Sequence, residues 1–394
     1  MTETALIPTY ARLPVAFESG RGAWLTDTQG NTYLDALSGI AVCGLGHAHP
    51  AVTEAIQAQA AKLLHTSNLY QQPIQEAAGA LLTRLAGMEK VFFCNSGAEA
   101  NEGAIKLARL HGHRKGVEKP QLLVMNNAFH GRTLATLTAT GSRKVQAGFE
   151  PLVSGFLRCG YNDLEAASAL INSRSDIVAV LVEPVQGEGG VTPASDEFMN
   201  GLAALCQEKD LLLMLDEVQT GNGRTGRYFA YQHYDWTPDV LTTAKGLGNG
   251  VPVGAVMVSG KAADLFQPGH HGSTYGGNPL VCASVLAVLN TLEQEKLCER
   301  AAYLGDYLVQ GLKQGLSDCA AVKTLRGKGL MIGIEMTQPC TELVKLALEA
   351  GLLINVTAGQ VVRLLPPLTL TDAEADQLLE RLIPVILKWA ARLD

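Results

Sequence analysis

The sequence lacks a run of Lys and Arg residues, and its formal net charge is −7. Nucleic-acid binders carry a basic footprint, so nucleic acid is excluded as an expected partner. It also lacks a basic segment followed by an apolar one at its start, so no secretory signal is expected. Its richest apolar stretches, such as Leu280–Leu289, are too short to cross a bilayer, and no membrane association is expected. Eight cysteines are scattered without a CxxC pair. Cys94, Cys206 and Cys282 sit in apolar runs and read as small core hydrophobes, which excludes a disulfide framework and fits a reduced, cytoplasmic protein. His47/His49 and His270/His271 stand without nearby Cys or acidic partners, so no metal site is expected. No internal repeat, low-complexity tract or Pro/Ser linker divides the chain.

What is present is the material of a large globular protein. Of 394 residues, 47% are hydrophobic and 18% charged, enough apolar matter for a sizeable core and too much for disorder. Length suggests two domains. Helices are expected over Ala51–His65, Gln75–Ala86, Ala98–His111, Asp163–Ile171 and Asp196–Gln207. Strands are expected at Val91–Cys94, Gln121–Met125, Ile177–Val182, Leu211–Leu215, Val240–Ala244 and Gly254–Val258. Short apolar strands alternating with helices predict an α/β fold with a mostly parallel sheet covered on both faces. Beyond Pro279 the pattern changes to long helices (Leu280–Leu292, Glu295–Leu316) and short strands (Val322–Leu325, Leu330–Glu335, Leu353–Asn355, Val361–Leu364). A helix at Thr341–Glu349 and a last helix opening on Thr371-Asp-Ala-Glu374, a capping-box pattern, complete a smaller α+β domain. Pro384 is expected to kink or interrupt that last helix. The division expected is an N-terminal segment over 1–48 packing with the small domain, a large domain over 49–278 and the small domain over 279–394.

Three motifs carry chemistry. Cys94-Asn-Ser-Gly-Ala-Glu-Ala-Asn101 joins a strand to a helix. Ser96 and Glu99 have capping-box spacing, and Gly97 and Ala98 would present bare N–H groups to an anion at the positive end of the helix. Leu211-Leu-Leu-Met-Leu-Asp216-Glu-Val-Gln219 ends an apolar strand on a carboxylate, where ligands of open α/β sheets bind. Val240-Leu-Thr-Thr-Ala-Lys245-Gly-Leu-Gly-Asn-Gly250 ends another strand on a lysine. A desolvated amine loses basicity and can attack an aldehyde to form a Schiff base. Alone, each motif is better read as an ordinary capped helix, a turn-capping Asp or a surface Lys. Together, an anion site, a partner for a pyridinium nitrogen and a Schiff-base lysine are the parts that hold pyridoxal 5'-phosphate.

The motifs, in this order, resemble those of the class III aminotransferases, the group containing acetylornithine, ornithine and 4-aminobutyrate aminotransferases. The resemblance runs from Gly39–Pro50 to Arg363–Pro367. It implies the type I pyridoxal-phosphate fold and a homodimer with active sites at the subunit interface. It also implies that Lys245 carries the cofactor and moves the proton, with Asp216 on the pyridinium. Glu217, Val218 and Gln219 would lie along the ring, Ser96, Gly97 and Ala98 at the phosphate, and Phe129 against the ring face. Thr274 would reach the phosphate of the partner subunit. For substrate, the resemblance implies Arg132 on the α-carboxylate and Ser273 beside the acyl group. Glu188 would mask Arg363 when an ω-amine is bound and release it for 2-oxoglutarate. Gly39-Ile-Ala-Val-Cys-Gly-Leu-Gly-His47 and His65-Thr-Ser-Asn-Leu-Tyr70 are most similar to the acetylornithine-using members. They imply N2-acetylornithine as donor, 2-oxoglutarate as acceptor and a place in arginine biosynthesis. Succinylornithine, succinyldiaminopimelate, ornithine and 4-aminobutyrate stay open as donors.

Gly221-Asn-Gly-Arg-Thr-Gly226 matches the dinucleotide fingerprint GxGxxG, which would make the chain a nicotinamide dehydrogenase. The fingerprint should open a helix, yet Arg227-Tyr-Phe-Ala-Tyr231 shows no helical stripe. A binding protein that kept the fold without catalysis is disfavoured by the presence of both Lys245 and Asp216. The fold also hosts mutases and decarboxylases, so fold alone does not name the reaction.

Overall fold

A computed structural model describes residues 5–393. Its centre is a seven-stranded sheet in the order Lys90–Cys94, Gly254–Val258, Val240–Thr243, Leu212–Asp216, Ile177–Val182, Gln121–Met125, Phe156–Cys159. All pairings are parallel except those of Gly254–Val258, which runs antiparallel to both neighbours. Ile177–Val182, Leu212–Asp216 and Val240–Thr243 are buried along their whole lengths, as strands covered on both faces must be. Side-chain alternation divides their contacts between two cores. Leu213, Leu215, Leu241 and Met257 face one side with Phe198, Leu202 and Cys206 of helix Asp196–Glu208. Leu212, Met214, Val240 and Val256 face the other with Ala100, Ala104 and Leu107 of helix Gly97–Arg114.

A second sheet, Val322–Lys328, Met331–Met336, Val361–Leu364, Asn355–Thr357, is antiparallel throughout. A third joins the two ends of the chain. Phe17–Arg21, Trp24–Asp27 and Thr32–Asp35 form an antiparallel meander, and Leu352–Leu353 pairs in parallel with Thr32–Asp35. Helix Pro279–Gln294 starts on Asn278, whose side chain accepts from Val281 N–H, and packs on helices Pro50–Ala60 and Pro73–Ala86. Among the described residues, no helix is long and apolar enough to cross a membrane.

The expected elements are present with shifted ends, and some details differ. The N-terminal meander and the edge strand Phe156–Cys159 carry weak apolar patterns and were not expected. The strand expected over 353–355 is two strands, because Leu352–Leu353 and Asn355–Thr357 belong to different sheets and the chain changes partner between them. Pro384 does not interrupt the last helix, which runs continuously from Asp372 to Ala390. Pro384 and Glu380 are both exposed, so the carbonyl that loses its N–H partner faces water, while Leu378, Leu382, Ile386 and Trp389 hold the opposite face in the core. The expected capping box is complete: Glu374 N–H donates to Thr371 Oγ1 at 3.2 Å and Thr371 N–H to Glu374 Oε2 at 2.9 Å.

Candidate active site

Three strand ends meet one cavity of about 380 Å3. Asp216 closes its strand beside Thr242 of the next, two residues before Ala244 and three before Lys245. The antiparallel strand between that pair and Lys90–Cys94 begins at the same edge. There Gly254 lies so close to Ser96 that a Cβ would sit 2.2 Å from the Ser96 carbonyl oxygen, so only glycine fits. This brings Ser96–Ala98 to the same rim.

Ser96 adopts an extended backbone and caps helix Gly97–Arg114, its Oγ accepting from Glu99 N–H at 3.1 Å. The return bond of the expected capping box lands one residue earlier, since the Glu99 carboxylate accepts from Asn95 N–H at 2.6 Å. The Gly97 and Ala98 N–H groups precede the first intrahelical bond, so they are free to face an anion in the cavity they line.

Asp216 is 4% exposed. Its Oδ1 accepts from Val218 N–H at 3.0 Å, and its Oδ2 accepts from Asn101 Nδ2 at 2.7 Å and lies 2.7 Å from His130 Nδ1. An ionised carboxylate only accepts, so His130 carries its proton on Nδ1. Asn101 is itself fixed, donating also to the His130 carbonyl and accepting from Thr242 Oγ1 at 2.7 Å. His130 Nε2 is buried with no protein partner. Neither Asn101 nor His130 stands out in the sequence, although Asn101 ends the Cys94–Asn101 motif and His130 follows Phe129. The signal that could have found them is the one polar residue on an otherwise small or apolar face, one helical turn past Gly97, and a His beside Phe129.

Lys245 occupies a left-handed backbone conformation, φ +45°, at the start of a single 3-10 turn. Burial lowers the Lys245 pKa, and the Arg363 guanidinium lowers it further against the opposing pull of Glu188, Asp216 and Glu183. Arg363 is fully buried and donates to Glu188 Oε1 at 2.6 Å, Gln219 Oε1 at 3.2 Å and Asn355 Oδ1 at 3.1 Å. Its Nη2 has no partner. Burial raises the Glu188 pKa, but the Arg363 charge and hydrogen bond outweigh this, and the net direction is down. Glu183, in the same cavity, has its pKa pushed up to about 7, chiefly by burial, with His130 opposing. Phe129 and Val218 line the cavity, and the exposed Arg132 guanidinium lies 5.7 Å from the Phe129 ring centroid.

The cavity thus gathers Ser96, Gly97, Ala98, Phe129, Arg132, Glu188, Asp216, Val218, Gln219 and Lys245, with Arg363 behind Glu188 and Gln219. Glu217, next to Asp216 in the chain, lies outside the cavity. Alternation turns Glu217 away from Asp216, and its carboxylate accepts from Ala230 N–H at 2.6 Å, Tyr231 N–H at 2.8 Å and Thr220 Oγ1 at 2.8 Å. Ser273 and Thr274 also lie off the cavity within one chain. Ser273 Oγ accepts from Gly276 N–H and Asn95 Nδ2 at 3.0 and 3.1 Å, while Thr274 is exposed. The GxGxxG stretch opens no helix. Its Arg224 is buried and donates to the Leu330 and Pro366 carbonyls, stapling the loop to the C-terminal region.

Residues 7–386 match the model of the family described as aminotransferase class-III. The chain belongs to the class III aminotransferases. This class III chain is 53% identical to the acetylornithine aminotransferase of Nitrosomonas europaea over 381 residues, 97% of each chain. Among solved structures, it is similar to the ornithine aminotransferase of Toxoplasma gondii, with a TM-score of 0.95, 34% identity, and 98% and 94% of the two chains covered. It is also similar to the acetylornithine aminotransferase of Elizabethkingia anophelis, with a TM-score of 0.87, 34% identity, and 97% and 96% covered. It is a pyridoxal-phosphate-dependent aminotransferase. The residues present fit that cofactor. Unpaired helix N–H groups suit its phosphate, the buried Asp216 carboxylate suits a protonated ring nitrogen, and Lys245, its basicity lowered, suits its aldehyde.

Proposed function

We propose that this aminotransferase moves the ω-amino group of N2-acetylornithine to 2-oxoglutarate, giving N-acetylglutamate 5-semialdehyde and glutamate, in arginine biosynthesis. The observation that carries the reading is the 53% identity, along 97% of both chains, to a protein named acetylornithine aminotransferase. We assign the roles as follows. Ser96, Gly97 and Ala98 hold the phosphate, Phe129 and Val218 flank the ring, Gln219 lies along its edge and Asp216 keeps its nitrogen charged. Bound pyridoxal phosphate supplies an electron sink for the substrate carbon that loses its proton. Lys245 Nζ carries that proton, a task suited to an amine whose pKa is lowered toward neutrality. Arg132, at the open side of the cavity, binds the α-carboxylate by its guanidinium fork. Glu188 neutralises Arg363 while the donor is bound, and Arg363, with Nη2 unsatisfied, takes the second carboxylate of 2-oxoglutarate when Glu188 swings away.

The protein acts as a homodimer in this reading. Thr274 of the partner subunit completes the phosphate site, and Ser273 beside it faces the acyl group across the interface. Thr274 is exposed and lies outside its own chain's cavity, which supports that use. All eight cysteines are free thiols, which supports a reducing, cytoplasmic setting. The test is a donor panel with 2-oxoglutarate as acceptor. N2-acetylornithine is expected to give the highest kcat/KM. Free ornithine or 4-aminobutyrate outcompeting it overturns the donor assignment.

A further inference from the structure

Two walls of the cavity hang from one buried carboxylate. Glu183 follows strand Ile177–Val182, is 6% exposed and spends each oxygen on a different loop. Its Oε2 accepts from Phe129 N–H at 3.0 Å, and its Oε1 accepts from Gly187 N–H at 3.3 Å. Phe129 is the aromatic wall. Gly187 is the residue before Glu188, and a Cβ there would lie 2.3 Å from Gln219 Oε1, so this backbone is pressed against another partner of Arg363. The corner is held behind as well. Tyr161 Oη donates to the carbonyls of Glu183 and Pro184 at 2.8 and 3.2 Å, and Thr357 Oγ1 donates to the Glu188 carbonyl at 2.6 Å.

We propose that Glu183 is a positioning residue that ties the Phe129 wall to the Gly187–Glu188 corner, holding the Glu188–Arg363 pair in register with the cofactor ring. The proposal rests on the switch reading of Glu188 and Arg363 given above. Burying a carboxylate is costly unless hydrogen bonds compensate. Here the two N–H donors belong to the two loops that shape the site, so the bonds that offset its burial also fix those loops. Glu183 touches neither substrate carboxylate in this reading. It acts through Phe129 and Glu188.

The test is Glu183→Gln in the holoenzyme, with Glu183→Asp as the second variant. A glutamine amide offers one acceptor oxygen and must turn its NH2 toward the other N–H donor. An aspartate keeps the charge but is one methylene too short to span both loops. Each variant is expected to raise the dissociation constant for pyridoxal phosphate about fivefold, read by equilibrium dialysis. Each should lower kcat/KM of the N2-acetylornithine half-reaction about tenfold, a loss on the order of 1.4 kcal/mol. The glutamate half-reaction, which needs Arg363 released, should stay within about twofold. Equal losses in both half-reactions, or unchanged cofactor affinity, overturn the proposal. If Glu183→Gln does not fold, Glu183→Asp carries the same readouts. Glu188→Ala separates the two claims. If it leaves the ratio of half-reactions unchanged, the switch reading itself fails. If it shifts the ratio while neither Glu183 variant does, only the Glu183 proposal fails.

Discussion

At the scale of single residues, chemistry here is set by burial and by what faces the buried group. Lys245 is an ordinary amine made a better nucleophile by desolvation and by the Arg363 charge. Lys245→Ala should still bind pyridoxal phosphate, because the phosphate and ring-nitrogen contacts remain, but kcat should fall by at least about a thousandfold with the loss of the proton carrier. Near-normal turnover in a stopped-flow half-reaction assay would sink the assignment. Asp216→Asn keeps the side-chain shape but removes the charge and turns an NH2 toward either Val218 N–H or the Asn101 and His130 donors. Its kcat should fall by on the order of a hundredfold or more, with cofactor binding weakened, as a spectrophotometric titration would read. His47 lies away from this chemistry, 2.8 Å from Asp35 Oδ2, and its pKa is raised to about 9 by that hydrogen bond first and the Cys43 thiol second. A raised folded-state pKa contributes stability that is complete below the unfolded value near 6.5 and is lost as pH climbs through about 9. The Tm advantage of wild type over His47→Gln should therefore shrink between pH 7 and 9.5. A constant difference across that window would show that His47 does not titrate there.

At the scale of elements, the site depends on how strands and helices begin and end. Helix Gly97–Arg114 is started and aimed by Ser96, and its first free N–H groups become the anion site. Ser96→Ala should cost about 1 kcal/mol of stability through the lost cap, and it should also weaken binding of free inorganic phosphate to the apoenzyme. A Tm drop with unchanged phosphate affinity would mean that the cap is structural only. The last helix shows the opposite case, a local rule overridden. Its proline lies on the wet face while four large apolar side chains anchor the dry one. Pro384→Ala restores an N–H toward the exposed Glu380 carbonyl, so thermal unfolding should move to higher temperature. No gain would mean that the ring's own contacts already compensate for the missing bond.

At the scale of the whole molecule, one chain gathers most of the site but leaves Ser273 and Thr274 outside it. In the proposed homodimer, Thr274 of the partner subunit lies at the phosphate corner, so each active site draws on two chains. Mixing Lys245→Ala with Thr274→Ala protein under conditions of subunit exchange should recover activity that neither possesses alone. Heterodimers would contain one site with both native residues. No recovery, with exchange verified by mass spectrometry of labelled chains, would place Thr274 outside the neighbouring site. The chain's ends are joined at this scale too. Leu352–Leu353 extends the sheet begun by Thr32–Asp35, and buried Arg224 links the Gly221–Gly226 loop to the Leu330 and Pro366 carbonyls. The small antiparallel sheet carrying Arg363 is thereby held against the cavity that Lys245 serves.

The sequence by itself determined the α/β class, the chemical parts and the family. Short, β-branched apolar runs such as Ile177–Val182 fit central strands, and a lysine, a carboxylate and a small-residue helix start at three such strand ends have few joint uses. The pattern is local, carried by neighbours within one element. Local pattern says little where the deciding contact is distant. Glu217 stands beside Asp216 in the chain, yet strand alternation sends it to the backbone of residues 230 and 231. The N-terminal strand Thr32–Asp35 gains its outer partner, Leu352–Leu353, more than 300 residues later. Asn101, His130 and Glu183 look like incidental polar residues until tertiary packing places them around Asp216, Phe129 and Glu188. A buried polar group owes its position to partners that satisfy it, and those partners come from other elements. Only the tertiary structure decided how the reactive groups are held.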